Sequence, residues 1–429
     1  MPEEINVTAS NLPDALQTSA GVLSAFIERS WRSNAERQLN KGVDFVIGKR
    51  DGIYLWNLEG TKRVIDCGTA GGVHSLGHRH PAVLAALKGA LDDGRDTGLW
   101  SIPNAEHLTL QDKLAALAPS RRLNRSVITL SSTTSVDVAT MFAFRATGRQ
   151  KILAYRHGYH GHSGFAALAT GSTEEGVIDY YGLPKQYTAF FEDYGAIEEI
   201  DRLLTGDIAA LIVEPINYET FEPASKAYFE GVQRLCRERG VLFIVDETRT
   251  GLGRTGKLWA CEHYDIEPDM MITGKGLSGG LYPVSALLVS SDVYDTCMNQ
   301  HNFAYISSLG GNEISCIVAS KVLDVASDRG FLDRVRIMSS LLKHELDAVC
   351  ARHHNALAPG ITHGGMFTVR INDPAIAPSL YRAIFRHGVL CHSVSVIEPA
   401  VLKFLPPLTL DASGAQEIAR ALDLAMQDI

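Results

Sequence analysis

Two apolar runs in this chain end on groups that could do chemistry. VLFIVDE, residues 241–247, is apolar and largely β-branched until it stops on two acids, of which Asp246 is the first; MMITGK, residues 270–275, stops on Lys275 between Gly274 and Gly276. Such runs read as buried parallel strands that deliver their last side chains to the edge of a sheet. In open α/β sheets ligands sit at the carboxyl ends of the strands, so an acid and an amine 29 residues apart can meet over one bound molecule. The amine could attack a carbonyl to form an imine, and the acid could stay ionised facing a pyridinium nitrogen. Those are the two protein groups that pyridoxal phosphate (PLP) chemistry requires. The plainer reading of any such pair is a solvated strand end, because short motifs often carry no chemistry.

Other stretches supply elements to position them. VITLSSTTSVDVATMF moves from strand to a hydroxyl-rich turn to helix, placing Ser132, Thr133 and Thr134 where free amides and a positive dipole end suit a phosphate; a serine-threonine cluster there is also an ordinary helix cap. KILAY reads as a strand leading to Tyr159-His160-Gly161, and IAALIVEP as a further buried strand ending on Glu214. Pro81 signals a helix start. His74, His78 and His80 lie on the glycine-rich loop before it, without further ligands at zinc spacing, so no metal site is expected. Near the start, Val22, Leu23, Phe26, Ile27 and Trp31 recur at helical spacing, predicting one amphipathic helix over 18–40. GKRDGIYLWNLEGTKRVIDCG predicts strands broken by DG and EG turns. From Glu313 to about His354 the pattern predicts two long helices broken at Asp328-Arg329-Gly330, and the remainder alternates strands and helices up to a closing helix from Gly414.

DETRTGLGRTG at 246–256 and TGKGLSGGLYPVSA at 273–286 together resemble the signature of the class III (ornithine/GABA-type, ω-) aminotransferases, usually DEVQTGFGRTG followed by a TGK segment. The resemblance covers the chain from about residue 25 to the end. It implies an α/β protein of PLP fold type I, aspartate aminotransferase-like. The large domain would hold a mostly parallel seven-stranded sheet flanked by helices, beside a smaller α+β domain. The expected division is residues 1–70 as an N-terminal segment contributing to the small domain, 71–320 as the PLP-binding domain and 321–429 as the C-terminal small domain.

By the same resemblance Lys275 forms the Schiff base and Asp246 faces the ring nitrogen. Ser132, Thr133 and Thr134 fall on the family's phosphate turn, although Thr133 stands where glycine is usual and Ser135 where glutamate is usual. Tyr159 is expected to stack on the ring beside His160, with Glu214 near the ring hydroxyl and Lys275. Thr248 replaces the usual Val or Ile beneath the ring. Arg249 replaces a glutamine that hydrogen-bonds the phenolic oxygen, a donation arginine can also make. Ser308, in FAYISSLGGNE, matches a threonine that reaches the phosphate across a subunit interface, which implies a homodimer with shared active sites. Trp100 and Ser101 fall on the substrate-entrance loop. The family's QGEGG is NYETF here, so Tyr218 adds bulk and Glu219 matches a glutamate that pairs with a substrate-binding arginine. That arginine is Lys403 in this chain, which cannot offer a bidentate fork to a carboxylate.

The reading is therefore transamination between an amine or amino acid and a ketone, aldehyde or 2-oxo acid. An aminomutase, epimerase or lyase of the same fold is the alternative, and a non-enzymatic binding relative a remoter one. Candidate substrates run to carbonyls on a peptide or natural-product intermediate. The 429 residues, 45% hydrophobic and 21% charged, are enough for a large core. A net charge of −9 argues against nucleic acid or an anionic membrane as the main partner. The N-terminus has acids where a signal peptide has basic residues, and no stretch reaches the length of an apolar membrane span. Seven scattered cysteines without CxxC spacing fit reduced packing residues in a cytoplasm.

Overall fold

The structure is a computed structural model that describes residues 13–171, 177–217, 220–301, 303–395 and 400–429. The chain divides into two compact units, residues 1–69 with 340–360 and 368–429, and residues 70–339 with 361–367.

The larger unit is built on a seven-stranded sheet. Its strands are β1 (Arg125–Thr129), β2 (Lys151–Tyr155), β3 (Thr188–Phe191), β4 (Ile208–Val213), β5 (Leu242–Asp246), β6 (Met270–Thr273) and β7 (Ser285–Val289). They lie in the order β1-β7-β6-β5-β4-β2-β3. Only β7 runs against the others, pairing antiparallel with both β1 and β6. Every residue of β4, β6 and β7 is buried, which explains why these segments are continuous apolar runs rather than alternating ones. The helix Ser132–Thr147 covers one face, packing Val136, Ala139, Phe142 and Ala143 onto Ile152, Ile212, Ile244 and Ile272. It begins because the Ser131 side chain accepts from the Thr134 amide, and it ends at Gly148 in the left-handed conformation.

The division falls at 339/340 rather than 320/321. The helix Glu313–Ala326 packs on the helices Pro81–Asp92 and Ala105–Leu117 of the larger unit, so its apolar face is satisfied there. The next helix, Arg329–Arg352, contributes to both units.

The smaller unit contains two four-stranded sheets. One joins Ile47–Asp51, Tyr54–Asn57 and Arg63–Cys67 to Val389–Cys391, the last pair being parallel. The other orders Leu357–His363, Met366–Ile371, Val401–Phe404 and Ser393–Ser395, its hairpin tip belonging to the larger unit. Helices Ala377–Arg386 and Ala412–Gln427 pack together beside these sheets. The predicted helix over 18–40 is two helices, Ser19–Arg29 and Arg32–Asn40. Ser30 leaves helical geometry at φ −140°, and Trp31 stands 61% exposed instead of packing inward. No helix among the described residues is long and apolar enough to cross a membrane.

Candidate active site

β5 and β6 are adjacent and parallel, with Asp246 opposite Ile272, so the chain delivers the acid and the lysine at neighbouring strand ends. Gly274 makes the approach possible: a Cβ there would lie 2.2 Å from Ser132 Oγ and 2.7 Å from Ser285 Oγ. Lys275 then adopts φ 43°, a left-handed conformation that costs a non-glycine residue about 1 kcal/mol or more. Ser278 holds this turn, its hydroxyl donating to the Lys275 carbonyl at 2.6 Å and accepting from the Gly280 amide at 3.0 Å. The Lys275 amine lies 5.9 Å from the centroid of the Tyr159 ring.

Tyr159 and His160 come from the loop after β2. The amides of His160 and Gly161 both donate to Thr170 Oγ1, at 2.8 and 3.0 Å, which fixes that loop. The Tyr159 amide donates to Glu214 Oε2 at 3.1 Å. His160 Nδ1 lies 2.8 Å from Asp246 Oδ2, and the Thr248 amide donates to Asp246 Oδ1 at 3.0 Å.

These contacts converge on one cavity of about 510 Å³, whose walls include Ser132, Thr133, Tyr159, His160, Glu214, Asp246, Thr248, Arg249 and Lys275. Its charges are unequal. Burial alone would raise the Asp246 pKa, but the hydrogen bond and charge of His160, with the bonds from Thr248, outweigh it and hold the carboxyl below its ordinary value. His160 answers in the opposite sense: burial disfavours its cation, yet Asp246 and Glu214 leave its pKa raised. Burial raises Glu214 in spite of Arg249 and His160. Burial lowers the Lys275 amine to about 7, the Arg249 guanidinium adding to that against Glu214 and Asp246. A nucleophilic amine and an ionised acid therefore share a partly dry cavity at neutral pH.

Other expected site residues lie elsewhere. Thr134 is outside the cavity wall, and its hydroxyl is 2.9 Å from Ser131 Oγ. Trp100, Ser101 and Ser308 line a second cavity of about 420 Å³ in the same unit. Lys403 belongs to the smaller unit, 3% exposed within Val401–Phe404. Tyr218 and Glu219 lie outside the described residues. Conversely, His74, Ser278 and Tyr282 line the first cavity without having been singled out for this site. Ser278 and Tyr282 follow Lys275 within the same motif, and that proximity was a usable signal. Among the described residues no group of three His, Cys, Asp or Glu side chains gathers where it could hold a metal ion.

The class-III aminotransferase family profile matches residues 36–426. The chain belongs to the class-III aminotransferases. An uncharacterized aminotransferase of Archaeoglobus fulgidus is 35% identical to it over 395 residues, covering 90% of each chain. A [LysW]-aminoadipate semialdehyde transaminase of Deinococcus radiodurans is 28% identical over 413 residues, 92% of this chain and 90% of the other. The ornithine aminotransferase structure from Toxoplasma gondii superposes with a TM-score of 0.85 at 23% identity, covering 96% of each chain. The aminotransferase thus has PLP fold type I and depends on PLP for transamination.

The cavity fits that cofactor. Its volume lies in the range of small-molecule sites, and a tyrosine ring stands on the wall for a flat heterocycle. The first turn of Ser132–Thr147 presents two hydroxyls and a helix N-terminus for a phosphate. Gly161 keeps that turn close: at φ 142° it has no Cβ, which would otherwise meet Thr133 Oγ1 at 2.6 Å.

Proposed function

We propose that Lys275 and Asp246 are the catalytic pair of the aminotransferase. The observation that carries this is their convergence, with Tyr159 and the Ser132–Thr133 turn, on a single cavity. PLP, when bound, supplies an aldehyde carbon to which amines attach and a pyridinium ring that takes up electrons. Asp246, kept ionised by His160, would hold the proton of that ring nitrogen. Lys275 Nζ would hold the cofactor's aldehyde carbon and, when free, would serve as the base and acid at the substrate carbon. Its depressed proton affinity suits it to accept as well as to give. Ser132 and Thr133 take the phosphate, with Thr134 acting through Ser131. Tyr159 would pack on the bound ring and Thr248 would support it, while Arg249 would donate to its phenolic oxygen beside Glu214, all four residues lining the cavity.

We infer a homodimer with shared sites. Supporting this, Ser308 sits with Trp100 around a separate cavity rather than in the Lys275 cavity. Leu99, Trp100, Ile102 and Leu108, which line that separate cavity, are exposed, and large apolar side chains grouped at the surface mark interaction sites. Ser308 would then reach the partner's phosphate. Buried thiols at all seven cysteines fit a reducing cytoplasm.

For substrate class, the carrying residue is Lys403. A lysine offers one point charge where a bidentate fork would grip a carboxylate. We infer that one substrate is an amine or carbonyl compound without a free α-carboxylate at its reacting carbon, a peptide or natural-product intermediate being within that class. A small amino acid serves the other half-reaction. The test is an amine panel read in half-reactions from the cofactor spectrum, for wild type and Lys403→Arg. The substitution is expected to improve α-amino acids relative to amines by about tenfold or more, the worth of a charge-assisted bidentate contact. A wild type that already prefers α-amino acids in both halves, with an unchanged ratio in the variant, means that the carboxylate is held elsewhere.

A further inference from the structure

Beneath the site, a chain of hydroxyls runs from β1 to the strand end that carries Lys275. Thr129 Oγ1 lies 2.7 Å from Ser135 Oγ, which lies 3.0 Å from Ser285 Oγ, which donates to the Thr273 carbonyl at 2.6 Å. Thr129, Ser135 and Ser285 are fully buried. Ser132, on the cavity wall, is more loosely engaged, 3.4 Å from Ser285 Oγ.

Proton counting gives this chain a direction. A hydroxyl has one proton to donate, whereas a carbonyl can only accept. The short bond to Thr273 consumes the proton of Ser285, so Ser135 must donate to Ser285. Thr129 must then be the donor to Ser135, in preference to its longer alternative, the Ser131 carbonyl at 3.1 Å. In the 3.4 Å contact Ser285 would be the donor to Ser132, but its proton is already committed to Thr273, so Ser132 keeps its own proton, and the residue lines the cavity at the first turn of a 16-residue helix. The same oxygens of Ser132 and Ser285 occupy the space beside Gly274, so the chain also sets the spacing between that turn and the lysine.

We propose that Ser135 and Ser285 are positioning residues that aim the Ser132 hydroxyl, as a donor, at a phosphoryl group bound at the start of helix Ser132–Thr147. This rests on reading that turn as the cofactor's phosphate site. Neither residue lines the cavity; Ser135 acts by holding the Ser285 proton toward the Thr273 carbonyl, and Ser285 by filling the space against which Ser132 rests.

The experiment titrates the cofactor-free protein with PLP, with pyridoxal, which lacks the phosphate, and with inorganic phosphate as competitor, reading the absorbance of the lysine-bound ligand. Ser285→Ala and Ser135→Ala are expected to weaken PLP and inorganic phosphate alike by about tenfold, the scale of one hydrogen bond to a charged acceptor. Pyridoxal binding should stay as in wild type, and Ser285→Thr, which keeps the donor, should restore PLP affinity. Ser135→Ala keeps the Ser285 side chain but frees its hydroxyl to turn from Thr273 toward Ser132, and so remains informative if Ser285→Ala does not fold. Equal weakening of PLP and pyridoxal, or no change in either, would overturn the proposal. If inorganic phosphate fails to compete even in wild type, it is the phosphate reading of the turn that falls.

Discussion

An amine attacks a carbonyl only after losing its proton, so the environment of Lys275 sets the pH at which the site becomes competent. Its pKa is lowered from an ordinary 10.5 to about 7, which means that the uncharged form dominates above about pH 7 and is lost as pH falls below it. In the cofactor-free protein, the rate at which Lys275 captures pyridoxal should rise through neutrality and level off by about pH 8, whereas an unperturbed lysine would keep gaining. Arg249→Gln should move that midpoint upward, because it removes a neighbouring positive charge; an unmoved midpoint would show that the guanidinium does not act on the amine. Lys275→Ala should abolish the borohydride-trappable adduct and lower turnover by about a thousandfold or more. A reducible lysine adduct surviving elsewhere would sink the assignment. Asp246→Ala should still bind PLP through the phosphate turn while losing at least about a hundredfold in turnover; near-normal turnover would mean that Asp246 does not serve the ring nitrogen.

At the scale of elements, the close fit between the first turn of Ser132–Thr147 and the end of β6 is the tightest constraint in the site. Gly274→Ala keeps an extended backbone that any residue can adopt, so its cost is spatial. The new methyl must push aside Ser132 and Ser285, an overpacking worth about 1–3 kcal/mol. Thermal unfolding should report a lower midpoint together with weaker PLP binding, and a fall in only one of the two would show that the turn and the lysine are not coupled. How much of this could be read beforehand follows from chain distance. Asp246 and Lys275 were legible because each ends its own apolar strand, and the helix start at Pro81 and the break near Asp328 carried local signals. The hydroxyl chain was not legible: its members come from positions up to about 150 residues apart, and nothing in a single serine announces its partner. The break at Ser30 was missed because helical spacing of apolar residues persists across it, although Trp31 is exposed. The boundary at 339/340 was hidden for the same reason, since the apolar pattern of Glu313–Ala326 does not say which unit its face will meet.

For the molecule as a whole, the proposed sharing of Ser308 between two copies would tie activity to concentration. Dilution should release PLP and activity in step with loss of the dimer, measured by sedimentation and cofactor fluorescence on the same samples; an active monomer would refute the shared site. A different consequence follows from how the smaller unit is threaded. Its strand Arg63–Cys67 pairs with Val389–Cys391, a segment that leaves the ribosome roughly 320 residues later, and non-local pairings of this kind close slowly. During synthesis the strands Ile47–Asp51, Tyr54–Asn57 and Arg63–Cys67 must wait with one edge unsatisfied while the entire seven-stranded sheet is made. An open edge of that sort invites pairing with another chain. The vulnerable species is therefore the nascent polypeptide rather than the finished enzyme, and its yield in a cell should respond to translation speed and chaperone supply more than to substitutions around Lys275.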